Sequence, residues 1–258
     1  MGILNITPDS FSDGSQYNSL QGAIERAELM LESGIDIFDI GGESTRPGAQ
    51  EVSAQEEIDR VIPVIEALAQ FNKPISIDTS KAKVMQVAVK SGAGMINDVR
   101  ALQEEGALDM AAKLQVPVCL MHMQGAPRSM QQAPSYQDVV SDISEFLMHR
   151  VVSCEKAGIS KDLISLDPGF GFGKTLEHNL QLLHCLDKVV DLGFPVLAGL
   201  SRKSMLGQIT GKNVDQRLSS SLAVALLAMQ KGAKIVRVHD VAETHDVRQV
   251  YLALQALE

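Results

Sequence analysis

Cysteine is scarce in this 258-residue sequence: Cys119, Cys154 and Cys185 stand far apart and form no C-x-x-C pair. So sparse a set argues against a disulfide framework or a structural zinc site, and it fits a reducing, cytoplasmic setting. Positive charge is also short. The 23 Lys and Arg residues against 32 Asp and Glu leave a net charge of -9, which opposes non-specific attraction to nucleic acid or anionic lipid. Long apolar runs are missing, and the longest, Leu222 to Met229, falls far below the ~18 residues that cross a bilayer. The opening Met1-Gly2-Ile3-Leu4-Asn5-Ile6 has no basic region followed by an apolar one, and Ile6 stands where a myristoylation signal needs Ser or Thr, so no targeting segment is expected. What is present is a globular composition. With 45% hydrophobic and 21% charged residues, disordered and fibrous chains are excluded. One α/β domain over residues 1–258 is the simplest reading at this length.

Short apolar or β-branched runs alternate with helix-compatible segments along the whole chain, the pattern of repeated βα units around a parallel sheet. The candidate strands are Gly2–Ile6, Ile35–Gly41, Pro74–Thr79, Met95–Val99, Pro117–His122, Leu163–Asp167, Pro195–Leu200 and Ile235–His239. Between them, Ser53–Phe71 places Ile58, Val61, Ile62, Ile65 and Leu68 on one helical face, and Ser53 with Glu56 predicts a capping box. Gly34, Gly92, Gly158, Gly193 and Gly232 each end a helical segment where positive φ is wanted. The even spacing favours a closed (β/α)8 TIM barrel over an open doubly wound sheet.

Polar residues gather at the predicted strand ends: Asn5, Glu43, Thr45, Arg46, Asp78, Asn97, Asp98, His122, Asp167, Ser201, Arg202, Lys203, Arg237 and His239. Any single Asp there reads equally well as a cap, but a ring of such residues on one face predicts a polar site. Two long polar connections, Thr7–Ser19 and Glu43–Val52, leave that same face. The run Asp167-Pro168-Gly169-Phe170-Gly171-Phe172-Gly173-Lys174-Thr175 looks like a P-loop and fails, because Pro168 stands where the first glycine is needed and has no N–H for a phosphate. Its phenylalanines fit either plain packing or an aromatic wall beside a planar ligand. Arg237 and His239 share one strand face. An inward Arg237 calls for an anionic ligand or for a neighbouring Asp. His178 and His184 lie on a helix without metal-ligand company, and no G-x-S-x-G elbow is present.

The motifs Gly2-Ile3-Leu4-Asn5-Ile6-Thr7-Pro8-Asp9-Ser10-Phe11-Ser12-Asp13-Gly14 and Asp39-Ile40-Gly41-Gly42-Glu43-Ser44-Thr45-Arg46-Pro47-Gly48 resemble the dihydropteroate synthase family. Asp78-Thr79, Ile96-Asn97-Asp98, Cys119-Leu120-Met121-His122, the 167–174 run, Ser201-Arg202-Lys203-Ser204 and Arg237-Val238-His239-Asp240 continue the likeness in order. The resemblance implies a pterin-binding TIM-barrel transferase of folate biosynthesis. Such an enzyme joins 7,8-dihydropterin-6-ylmethyl diphosphate to 4-aminobenzoate, is a sulfonamide target, uses Mg2+ and works as a homodimer. It implies that Asn5 binds the metal, and that Thr45, Asp78, Asn97, Asp167, Lys203, Arg237 and His239 bind the pterin diphosphate. Lys203, Arg237 and His239 take the catalytic roles, and Arg46, Ser201 and Phe172 lie near the aminobenzoate. Family members generally carry a short segment before the first strand, and this sequence opens almost on it, so either an open barrel floor or a trimmed N-terminus is expected. Rival readings are a pterin-binding methyltransferase serving a corrinoid protein, for which no Asp-x-His-x-x-Gly motif is found, and a non-catalytic pterin-binding barrel, which the filled motif positions oppose.

Overall fold

Apolar runs that are buried on both faces make parallel strands, and all eight form where the sequence predicts them. The computed structural model describes residues 1–6, 16–44, 51–125 and 130–257. The strands are β1 (Gly2–Asn5), β2 (Phe38–Gly41), β3 (Ile75–Asp78), β4 (Met95–Asp98), β5 (Val118–Met121), β6 (Ile164–Asp167), β7 (Leu197–Ala198) and β8 (Ile235–Val236). The first four connecting helices are α1 (Gln16–Glu32), α2 (Ala54–Leu68), α3 (Ala82–Lys90) and α4 (Ala107–Leu114). They are followed by α5 (Val139–Lys156), the pair α6 (Leu176–His184) and α7 (Leu186–Val190), the pair α8 (Ser204–Thr210) and α9 (Leu218–Gln230), and α10 (Val241–Gln255).

Strands β1 to β6 pair in order as one parallel sheet, and β7 pairs with β8 as a second. Single parallel bridges join the two, Leu166 to Val196 and Val238 to Gly2, so the eight strands close into the expected (β/α)8 barrel. At the second seam Ile3 N donates to the Val238 carbonyl at 2.9 Å and Val238 N donates to the Met1 carbonyl at 3.0 Å.

Strand residues that face outward, such as Leu4, Phe38, Ile77, Leu120 and Leu166, merge with the inner helix faces in one continuous core. A smaller cluster of Met1, Met95, Cys119 and Leu197, with the partly buried Ile37 and Ile235, fills the interior near the N-terminal ends of the strands. Packing therefore rigidifies the lower barrel and leaves the polar strand ends at the top. On α2, Val61, Ile65 and Leu68 are buried while Ile58 and Ile62 are partly buried. Ser53 caps that helix by accepting from Glu56 N at 3.1 Å. The reciprocal half of the predicted capping box is absent, because the Glu56 carboxylate pairs with Arg60 one turn on. The five predicted glycine caps all have positive φ, from 80° at Gly34 to 122° at Gly92. Among the described residues no helix is long and apolar enough to cross a membrane.

Candidate active site

Inward-facing positions at the tops of the strands carry the charge. Arg237, just past β8, donates through Nε to Asp39 at 2.6 Å and through an Nη to Asp78 at 2.7 Å. Asp39 is fully buried, and its carboxylate also accepts from the Asn97 amide at 3.3 Å. Of the two partners weighed for Arg237, the protein supplies the carboxylate itself. Burial opposes the guanidinium charge, but Asp39 and Asp78 outweigh it and move its pKa above the ordinary value. Burial pushes Asp78 up to about 7 despite the opposing pull of Arg237, and Asp167 is also raised by burial. Lys203, enclosed beside Arg237, is lowered to about 8, first by burial and then by that like charge. The strand tops therefore hold carboxylates that are easily neutralised and an amine that is easily deprotonated.

The acids differ in what they bond. Asp98 is a turn residue: its carboxylate accepts from Arg100 N and Leu102 N at 2.8 Å and from Ser80. Asp78 makes no such bond and turns to Arg237 instead. Asp167 accepts from Gly169 N at 2.7 Å and lies near enough to Lys203 and Arg237 for their charges to act on its carboxyl. Glu43 pairs with Lys81 at 2.5 Å, and Lys81 reaches the fully buried Glu57 at 2.7 Å, so these groups tie the end of β2 to α2.

The glycine-rich turn after β6 divides its two phenylalanines. Phe170 packs in the core, 1% exposed, whereas the Phe172 ring lies beneath the Lys203 ammonium at 4.1 Å. Gly171 makes that approach possible, since a Cβ there would stand 3.2 Å from Lys203 Cδ. On the next unit Arg202 adopts φ 58° and is held by a bidentate pair with Asp240. Ser201 Oγ accepts from His239 N at 3.2 Å and meets its Nδ1 at 3.1 Å. His239 is thereby held against Ser201 at the top of the neighbouring strand.

Asn5 ends β1 beside Gly41. A Cβ on Gly41 would stand 3.7 Å from Asn5 Oδ1 and 3.4 Å from Asp78 Cβ, so the missing side chain leaves room between two oxygen-bearing groups. Among the described residues no group of three or more His, Cys, Asp or Glu side chains could hold a metal. Thr45 and Arg46, with the segments 7–15 and 45–50, lie outside the described residues.

The structure thus unites Asn5, Asp78, Asn97, Asp167, Phe172, Ser201, Lys203, Arg237 and His239 at one mouth. Sequence reasoning missed Asp39, the buried partner of Arg237. Asp39 carried a readable signal, an acid flanked by Phe38 and Ile40 in a strand buried on both faces. His178, set aside as a metal ligand, forms a reciprocal capping box with Thr175. His122 is buried against Lys174 and takes no place at the mouth.

A closed βα barrel whose strand tops set acids against cations defines a small-molecule enzyme of the TIM-barrel class. Residues 1–239 match the family described as pterin binding enzyme. The dihydropteroate synthase of Haemophilus influenzae is 57% identical to this chain, covering 98% of it and 92% of that protein; its Escherichia coli K12 counterpart is 54% identical over 97% and 89%. The crystal structure of Yersinia pestis dihydropteroate synthase with a sulfonamide drug complex superposes with a TM-score of 0.95 at 53% identity, covering 99% of this chain and 94% of that one. The Xanthomonas albilineans enzyme in complex with 7,8-dihydropteroate gives 0.90 at 49% identity, over 99% and 93%. The chain belongs to the pterin-binding enzyme family, among its dihydropteroate synthases, and is a transferase.

Proposed function

We propose that residues 1–258 form one domain that joins the amine of 4-aminobenzoate to the methylene of 7,8-dihydropterin-6-ylmethyl diphosphate, releasing pyrophosphate and 7,8-dihydropteroate. The observation that carries this reading is the meeting of Asp78, Asp167 and Asn97 with Arg237 and Lys203 at one end of the barrel. A pterin has a guanidine-like edge, which calls for acceptors, and a diphosphate tail, which calls for cations. The amine lone pair forms the new C–N bond as the C–O bond to diphosphate breaks, and the amine then gives up a proton. No protein nucleophile takes part.

In this reading Asp78 exchanges its bond with Arg237 for the pterin edge, while Asp39 keeps Arg237 aimed into the cavity. Asp167 and Asn97 hold the rest of the ring, and Lys203 donates to a ring heteroatom or carbonyl. Arg237 and His239 face the leaving diphosphate, with Thr45 as a further ligand of the pterin diphosphate. Phe172, Ser201 and Arg46 border the aminobenzoate. The Asn5 amide oxygen near Asp78 suits Mg2+, a hard cation that shares its ligands with substrate phosphates. Bound there, magnesium would neutralise charge on the departing diphosphate. We infer a homodimer working in the cytoplasm, in keeping with three unpaired cysteines, two of them buried.

The test is pyrophosphate release from purified protein given both substrates and magnesium. Release that depends on aminobenzoate supports the assignment, and its absence overturns it. Asp78→Ala and Asp167→Ala are each expected to weaken pterin binding by ~1–3 kcal/mol, because ring donors lose their partners. Calorimetry that finds unchanged affinity in a less stable protein would return those acids to a purely structural role. The pH profile of kcat/KM is expected to be bell-shaped. Activity rises as Asp78 ionises through about 7 and falls as Lys203 loses its proton through about 8. A flat profile from pH 6 to 9 would contradict these two roles.

A further inference from the structure

The Gly-Lys-Thr end of the glycine-rich turn has no part in the reaction above, yet its lysine is among the most enclosed charges in the molecule. Lys174 is 3% exposed. Its ammonium donates to the Gly169 carbonyl at 2.8 Å and the Phe172 carbonyl at 3.1 Å, and meets His122 Nδ1 at 3.0 Å. Burial lowers its pKa to about 7 against the pull of Asp167, and in the protonated form three donors meet three acceptors, the condition under which a buried ammonium is tolerated. The third contact requires a neutral His122 with its proton on Nε2, and burial together with Lys174 lowers that imidazole to about 3. A P-loop lysine points outward to a phosphate; this one points inward to the backbone of its own turn.

That turn needs a tie. Gly169, Gly171 and Gly173 have φ of 70°, 81° and 63°, and glycine holds such conformations no more firmly than others. Other groups fix its flanks: Gly169 N donates to Asp167, Gly171 N to Asn179 Oδ1 at 2.7 Å, and Tyr136 Oη to the Gly173 carbonyl at 2.7 Å. The Phe172 carbonyl is held by Lys174, and the Phe172 ring supports Lys203.

We infer that Lys174 is a positioning residue for the aminobenzoate half of the site, acting through Phe172: its buried ammonium fixes the turn that presents this ring beside Lys203. The inference rests on the proposed reaction and extends it to a residue that touches neither substrate. Asp167 is held by Gly169 N, whose own carbonyl Lys174 also bonds, and the lysine charge reaches Asp167 as well; the direct bond to the Phe172 carbonyl makes the aminobenzoate side take the larger loss.

The experiment is steady-state kinetics of Lys174→Met with each substrate varied in turn. The KM for aminobenzoate is expected to rise at least tenfold, with kcat and the KM for the pterin diphosphate changing less than threefold. In a Phe172→Leu background, Lys174→Met should add no further rise. An equal fall in kcat with both KM values unchanged would mark the lysine as merely structural and overturn the inference, as would additive effects in the double variant. His122→Ala keeps the ammonium and removes one acceptor, so it serves if Lys174→Met does not fold. Its aminobenzoate KM should rise by a smaller factor, and an unchanged value overturns the inference. Wild-type protein without turnover would overturn the reaction itself, whereas normal wild-type turnover with an unaltered KM in the variants overturns the role of Lys174 alone.

Discussion

Arg237→Met is expected to lower the unfolding free energy by ~3 kcal/mol or more and kcat by roughly 10²–10³-fold. The stability loss follows from Asp39, which is fully buried and bonded to the guanidinium at 2.6 Å. Without Arg237 it keeps only the Asn97 amide against the cost of a buried charge. The rate loss follows from the diphosphate, which no longer meets that cation as it departs. The two effects can be separated. Asp39→Asn combined with Arg237→Met removes the stranded charge, so denaturant unfolding should recover much of the lost stability while turnover stays low. If the double variant is no more stable than Arg237→Met alone, the ion pair is not what holds this part of the barrel.

A second large effect is expected from Gly169→Ala, at ~3 kcal/mol of stability or more. Left-handed backbone costs a non-glycine residue ~1–2 kcal/mol, and overpacking a filled site adds ~1–3 kcal/mol. Both apply here, since φ is 70° and a Cβ would stand 1.9 Å from the His122 carbonyl oxygen. The clash is with backbone, which cannot swing aside. Gly158→Ala is the control: its φ is 92°, but nothing lies within 4 Å of the added carbon, so only the strain of ~1–2 kcal/mol should appear. Equal thermal shifts in the two variants would refute the steric account.

The barrel was legible because each strand is an apolar run closed by a turn, but strand lengths were overread at several points. Ile35–Gly41 shortens to Phe38–Gly41, and Pro195–Leu200 to Leu197–Ala198. Ile35 and Leu200 are buried beyond the hydrogen-bonded ladder, so hydrophobicity marks the core and not the pairing. Asp78, Asn97, Asp167, Lys203, Arg237 and His239 could be singled out because they stand at or just past the C-terminal ends of strands. Asp39 stands one layer deeper, inside a strand, where an acid set between Phe38 and Ile40 is its one local mark. Lys174 resembled a phosphate ligand in sequence; the direction of its side chain depends on the turn conformation. The union of Lys81 with Glu57 across 24 residues depends on how α2 and α3 pack, which no local pattern encodes.

Closure by single bridges between a six-stranded and a two-stranded sheet has a consequence for how the protein opens. Asn5, Asp39, Asp78, Asn97 and Asp167 belong to the larger sheet, while Ser201, Lys203, Arg237 and His239 follow the smaller one. The site therefore exists only while the seams are shut, and the bonds from Arg237 to Asp39 and Asp78 act as a latch across the lumen. Partial opening that swings β7 and β8 away would erase the site while six strands stay folded. In Arg237→Met the amides of Ile3, Leu166 and Val238, which bond across the seams, should exchange with deuterium faster than those inside the larger sheet; uniform acceleration throughout the barrel would show that it opens as one unit.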